Sequence, residues 1–354
     1  MSEIQAKILA VGTALPSQRI EQHNIREFAR ALFAQSFRDI DRLVTIFENS
    51  QIKTRALCTD LAWFQSPKSF AEKNALYVQH ASNLSEAAAS EALSRANLEP
   101  NDIDAIIFVS TTGLATPSLD VTLIKRLGLS PHVARMPLWG LGCAGGASGL
   151  ARAAEYARVF PGRRVLLVAV ELCSLTFQHN DRSKSNLVAT SLFADGAAAV
   201  IVSTDSHTRN PELIGSYSTL IPDSEDVMGW DVVDGGLKVR FAKSVPDLVR
   251  NLMRGNLCEA AKASGITLQQ LQHFVTHPGG IKVLQAYQEA LSLEPEKLRD
   301  AHTILETCGN MSSVSVLFVL EKFMQRYSSL PAGEYGTISA MGPGFSAEHV
   351  IFRT

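Results

Sequence analysis

What this 354-residue chain lacks narrows its function before any motif is read. Its five cysteines, Cys58, Cys143, Cys173, Cys258 and Cys308, lie far apart without a Cys-x-x-Cys pair, so neither a disulfide framework nor a metal site is indicated. No run of ~18 apolar residues exists, which excludes a membrane-spanning helix. Charge is sparse: Asp, Glu, Lys and Arg make up 19% of the chain and the net charge is −2. Basic residues are scattered singly, not gathered into the stripe that a nucleic-acid partner requires. The opening residues, Met-Ser-Glu-Ile-Gln-Ala-Lys, carry no apolar stretch with a cleavage site, and with the separated thiols this fits a cytoplasmic protein.

Apolar residues, by contrast, reach 46%, and the length suggests two domains or a fused pair of similar halves. Near-continuous apolar runs at 103–109, 165–170 and 197–202 read as strands covered on both faces. Ile8 to Val11 is a further short strand, and Ile52 to Arg55 a possible edge. Glu21 to Asn49 has helical period throughout, which sets Arg38 and Arg42 on one helix face. Phe70 to Arg95 is a long alanine-rich helix, and Gln178 to Asn186 reads as a polar loop. Aligning Leu98 with Ile266 places Ile103 on Leu271, Ile106 on Phe274 and Ile107 on Val275 without a gap, so the chain is internally duplicated. The halves are taken as 1–205 and 206–354, in a layered α/β architecture.

Chemistry concentrates on three turns. Cys143 stands among glycines in Trp139 to Gly149, between a strand-like run and a helix over 144–159 whose N-terminal N–H groups favour thiolate. His277 ends an apolar strand ahead of Pro278-Gly279-Gly280, and Asn310 lies in Gly309-Asn310-Met311-Ser312-Ser313. Taken singly, each has a structural reading: buried cysteine, core histidine, helix N-cap. Together they form a nucleophile, a base and an amide donor. An imidazolium beside a cysteine lowers the thiol pKa from about 8.5. Such a set serves either a cysteine hydrolase or an acyl-transfer enzyme, and in the latter His277 and Asn310 can stabilise an enolate oxygen.

These segments, with Gly342-Pro343-Gly344, resemble in order and context those of type III polyketide synthases, the chalcone-synthase-like members of the thiolase superfamily. The resemblance runs from about Val11 to Arg353. It implies a five-layer αβαβα fold of two duplicated halves, the first carrying Cys143 and the second His277 and Asn310. It further implies a homodimer that uses acyl-CoA and malonyl-CoA with no added cofactor. Cys143 would hold the growing chain as a thioester, while His277 and Asn310 bind the thioester carbonyl. Phe193 matches a gatekeeping phenylalanine, whereas the second gate position is Val239. Cys173 and Thr176 fall where plant enzymes carry two threonines, Trp230 replaces a glycine, and Ser312 matches a cavity serine. Thr116 lies where the family sends a side chain into the partner's cavity. Arg38 and Arg42 are candidates for the CoA phosphates, and Gly279 and Gly280 for the pantetheine arm. Segments 139–156, 171–178 and 228–231 look most like bacterial alkylpyrone synthases, which load a fatty acyl-CoA and add malonyl units. A malonyl-primed naphthalene-forming synthase, a single-condensation ketoacyl synthase III-like enzyme and a catalytically silent interaction subunit stay open as alternatives.

Overall fold

Side chains on the central strands alternate between two apolar interiors, and this period of two builds the layers. In the computed structural model, which describes residues 5–205 and 208–354, the strands are β1 (Ala6–Ala14), β2 (Gln18–Glu21), β3 (Thr54–Leu57), β4 (Ala105–Val109), β5 (Ala134–Leu138), β6 (Arg164–Leu172), β7 (Asp195–Ser203), β8 (Glu212–Leu220), β9 (Met228–Val233), β10 (Gly236–Phe241), β11 (Leu271–Thr276), β12 (Tyr335–Gly342) and β13 (Ser346–Arg353). The helices are α1 (Gln22–Phe33), α2 (Ile40–Leu43), α3 (Thr45–Asn49), α4 (Phe70–Ala96), α5 (Asp120–Leu127), α6 (Gly145–Val159), α7 (Lys184–Leu192), α8 (Val245–Ala263), α9 (Ile281–Leu291), α10 (Arg299–Cys308) and α11 (Ser315–Gln325). Residues 1–4 of the charged N-terminal segment lie outside the described residues, as does residue 206, where the second half was set to begin.

The main sheet runs β5-β4-β6-β7-β1-β8-β13-β12-β11. Only two residue pairs, Ala6 with Leu213 and Lys7 with Glu212, join β1 to β8, so the sheet divides there into two blades. Ile107, Leu167 and Val200 face an interior filled by α6 and α11, together with Val275, Ile338 and Val350 of the other blade. Their neighbours Ile106, Leu166 and Ile201 face the opposite way, onto α4. In the second blade Leu271, Ala347 and Ile351 face α8 and α9. The layers are therefore helix, sheet, helix, sheet, helix. No described helix is long and apolar enough to cross a membrane.

The duplication is visible as an offset of 168 residues. α4 ends on left-handed Asn97 and α8 is followed by left-handed Gly265. Matching 3₁₀ turns follow at Pro100–Asp102 and Leu268–Gln270, each closed by a reciprocal cap, Glu99 with Asp102 and Thr267 with Gln270. β4 and β11 then pair in parallel with β6 and β12. β5 has no counterpart among the described residues, and Thr303–Leu305 lies within α10.

Two local expectations are corrected. The segment read as one helix over 21–49 is three, because α1 stops at Phe33, where the N–H groups of Ser36 and Phe37 turn back to its carbonyl. Arg38 consequently sits in the turn before α2, and it shares no helix face with Arg42. The polar stretch 178–186 is loop only as far as Ser183, whose hydroxyl caps α7 by accepting from the Asn186 N–H.

Candidate active site

The turn that carries Cys143 is a 3₁₀ turn, Gly142–Ala144, running straight into α6. Three glycines in α6 each cost a helix about 1 kcal/mol relative to alanine. They are tolerated because nothing larger fits: a Cβ on Gly146 would lie 2.2 Å from the Ser313 carbonyl oxygen, and one on Gly145 2.6 Å from Val109. The start of α6 thus touches the equivalent turn of the other half, Ser312–Val314, ahead of α11. Two helix N-termini meet at one place.

Cys143, His277 and Asn310 line one cavity of about 370 Å³, with Gly279 and apolar side chains around them. His277 follows β11 and its N–H donates to the Ser339 carbonyl of β12 at 2.9 Å, which fixes where the strand end projects. Both its ring nitrogens are buried without a hydrogen-bond partner among the described residues. Asn310 is held firmly: Nδ2 donates to the Gly279 carbonyl at 3.0 Å and Oδ1 accepts from the Ser312 N–H at 2.8 Å. Ser312 has φ 50°, a left-handed conformation rare for a side-chain-bearing residue and found at functional sites. The Ser312 and Asn310 side chains each favour the ionised form of the Cys143 thiol.

Burial nonetheless dominates. It pushes the Cys143 thiol up to about 12 and the His277 imidazole down to about 3. Burial thus opposes the thiolate that the helix N-terminus favours, and opposes the imidazolium beside it. Moving the Sγ proton to the imidazole creates both ions together with no change in net charge, so each offsets part of the burial cost of the other.

The other expected cavity residues border a second, mainly apolar pocket of about 500 Å³. Cys173, Thr176, Phe193 and Val239 line it, with Ile25, Phe28, Leu57, Leu61, Phe64 and Phe177. Trp230 is the cross-strand partner of Val239, and its ring meets Phe193 edge-on, centroids 6.2 Å apart. The Phe193 segment also pairs with the backbone of Asn310: the Asn310 N–H donates to the Leu192 carbonyl at 2.8 Å and the Ala194 N–H to the Asn310 carbonyl at 2.9 Å. Thr116 is exposed on the loop beyond β4 and lines neither cavity, standing near exposed Leu114. Arg38 and Arg42 are exposed and absent from both walls, and Arg42 pairs with Asp39. The Gly279 N–H is committed to the His277 carbonyl, leaving Gly280 of the two glycines.

Two buried groups escaped the sequence reading. Glu171, fully buried at the end of β6, accepts from the Thr111 N–H and from the hydroxyls of Thr111, Thr112 and Ser313 at 2.7–2.9 Å. Burial still holds its carboxyl above the usual range, and its charge opposes a thiolate at Cys143. A lone carboxylate closing an apolar strand was the signal for it. Arg55, also buried, donates from Nε to Gln22 and from Nη1 to the Phe193 carbonyl at 2.7 Å, clamping the Phe193 segment. Nothing local in the sequence marks that contact, which spans 138 residues.

A cysteine at converging helix N-termini, sharing one cavity with an imidazole and an amide, is an arrangement able to carry thiol-dependent acyl transfer. The family model for chalcone and stilbene synthases matches in both its N-terminal domain, over residues 1–206, and its C-terminal domain, over 212–354. The chain is 43% identical over 359 residues to a putative chalcone synthase of Bacillus subtilis, covering 98% of each. It is 38% identical to the 1,3,6,8-tetrahydroxynaphthalene synthase of Streptomyces peucetius subsp. caesius, over 98% of this chain and 92% of that one. The solved structure of the corresponding synthase from Streptomyces coelicolor A3(2), a bacterial type III polyketide synthase, superposes with a TM-score of 0.93 at 29% identity, covering 98% of this chain and 99% of that one. The chain belongs to the chalcone and stilbene synthase family, and its fold and activity class are those of a type III polyketide synthase, an acyltransferase.

Proposed function

We propose that the enzyme primes itself with a fatty acyl group, extends it with malonyl-CoA and closes the product to an alkylpyrone. The observation that carries the choice of starter is the second pocket, whose wall is built largely from Ile25, Phe28, Leu57, Leu61, Phe64, Phe177 and Val239. An aliphatic chain loses no hydrogen bonds on entering such a wall and gains about 0.8 kcal/mol per buried methylene. The Phe193–Trp230 pair then stands as the gate between this pocket and the Cys143 cavity.

In this reading the Cys143 thiol passes its proton to His277, attacks the acyl-CoA carbonyl and releases CoA, whose sulfur regains the proton. Malonyl-CoA next loses carbon dioxide to give an enolate, whose oxygen accepts hydrogen bonds from His277 and the free Nδ2–H of Asn310. The enolate carbon attacks the Cys143 thioester, the Cys143–acyl bond breaks, and the lengthened chain leaves on CoA to reload. No metal or added cofactor enters. Gly280 meets the pantetheine arm and Arg38 the CoA phosphates, while the exposed Thr116 loop packs against a second copy in a cytoplasmic homodimer.

A second reading rests on Cys173 in the pocket wall and on the Streptomyces relative: malonyl priming and a naphthalene product. A mass-spectrometric product profile separates the two. Alkylpyrones that appear only with aliphatic starters support the first reading, and an aromatic product from malonyl-CoA alone moves the assignment to the second. Linear products after one extension would sink both.

A further inference from the structure

One polar group in the wall of the Cys143 cavity has no assigned role. Tyr287 lies on α9, seven residues past Gly280, so it stands two turns or about 10 Å along the helix from that glycine. Val283 and Tyr287, four apart, share a helix face, and both line the cavity. The surrounding wall is apolar: Met228, Phe241, Val245, Val249 and Met341. The Tyr287 side chain is 2% exposed, and its hydroxyl is buried with no hydrogen-bond partner among the described residues. Buried tyrosine hydroxyls normally find a partner, and an unmet one costs stability. In this wall the other unmet buried polar atoms are the ring nitrogens of His277. Burial raises the Tyr287 pKa further above its ordinary value, so the group stays a neutral O–H donor.

We infer that Tyr287 is a substrate-binding residue whose hydroxyl donates to a carbonyl oxygen of the CoA thioester occupying this cavity. The inference rests on the reading of Cys143 as the acyl carrier. A neutral donor in an apolar wall calls for a neutral acceptor, since a charged one would be left without a counter-ion. The substrates of the proposed reaction offer two: the amide carbonyls of the pantetheine arm, shared by starter and extender, and the ketone oxygens of the extended chain.

Tyr287→Phe in the full-length enzyme removes one oxygen atom and keeps the ring. Its thermal midpoint is expected to stay level or rise, because the deleted hydroxyl had no partner, while a substrate-linked quantity moves roughly 3- to 10-fold. If the acceptor is on pantetheine, KM for malonyl-CoA and for acyl-CoA rises together and malonyl-CoA decarboxylation slows. If it is a ketone of the growing chain, loading and decarboxylation hold, and the products shift toward fewer extensions. Unchanged KM, decarboxylation and product distribution overturn the inference, as does a lowered midpoint with unaltered kinetics, which would make the hydroxyl structural. Acyl labelling of Cys143 in the unsubstituted enzyme keeps the two readings apart: its absence would refute the acyl-carrier reading itself, whereas failure at Tyr287 alone leaves labelling intact.

Discussion

Two turns, related by the duplication, meet at the site and are built differently. The first, Gly142–Ala144 before α6, is lined by glycine and offers a single reactive atom, the Cys143 sulfur. The second, Ser312–Val314 before α11, is lined by hydroxyls and an amide: Asn310 and Ser312 favour ionisation of the Cys143 thiol, and Ser313 donates to Glu171 at 2.7 Å. Duplication supplied two equivalent helix starts, and divergence gave one the thiol and the other the hydroxyls and amide, which the proposed function reads as nucleophile and partners. Close approach demands that one partner be small, and the glycines of α6 take that part.

The largest effect that tests this division is loss of chemistry. Cys143→Ala is expected to lower product formation at least about 10³-fold, since no acyl carrier remains. Asn310→Ala should cost about 10²- to 10³-fold in decarboxylation while acyl labelling of Cys143 persists. Equal losses of labelling in both variants would show that the two turns are not divided in this way. Next comes packing. Gly146→Ala puts a methyl 2.2 Å from the Ser313 carbonyl oxygen and should destabilise by about 3 kcal/mol in denaturant unfolding. Gly255→Ala, in α8 with open space around it, should instead stabilise by up to about 1 kcal/mol.

The effect confined to acid pH is a loss of stability in the second blade. His349 is buried between Ser339 and Asn256, within 2.8 Å of each, and burial lowers its pKa to about 4. The unfolded chain binds that proton near pH 6.5, so stability is complete above pH 6.5 and falls as pH drops toward 4. The loss for this group reaches about 3 kcal/mol. A His349→Gln variant should show a flatter acid limb in unfolding titrations, and an unchanged limb would remove His349 as its source.

Much of the fold was legible because it rests on local patterns. Apolar runs marked β4, β6 and β7, a glycine-bounded turn marked α6, and the 168-residue offset followed from pairing Leu98 with Ile266. Three kinds of feature were not. Apolar period carried on through residues 34–39 although the backbone turns there, so the helix was read too long and Arg38 was set beside Arg42. Thiol ionisation was read from the helix N-terminus and the neighbouring imidazole, and the opposing push of burial on both groups had no local sign. Glu171, Arg55 and Tyr287 draw their meaning from partners, or from the want of one, that only the folded chain brings near.

The backbone ladder between Phe193 and Asn310 would, on the proposed reading, make the pocket entrance and the enolate-binding amide parts of one lever. Moving the ring of Phe193 by reshaping its main chain also turns the amide that faces Cys143. Breeding this enzyme for bulkier starters by remodelling residues 191–194 would therefore trade selectivity against turnover. Changes at Trp230, whose ring meets that of Phe193 edge-on, would on the same reading widen the doorway and leave the Phe193–Asn310 ladder in place.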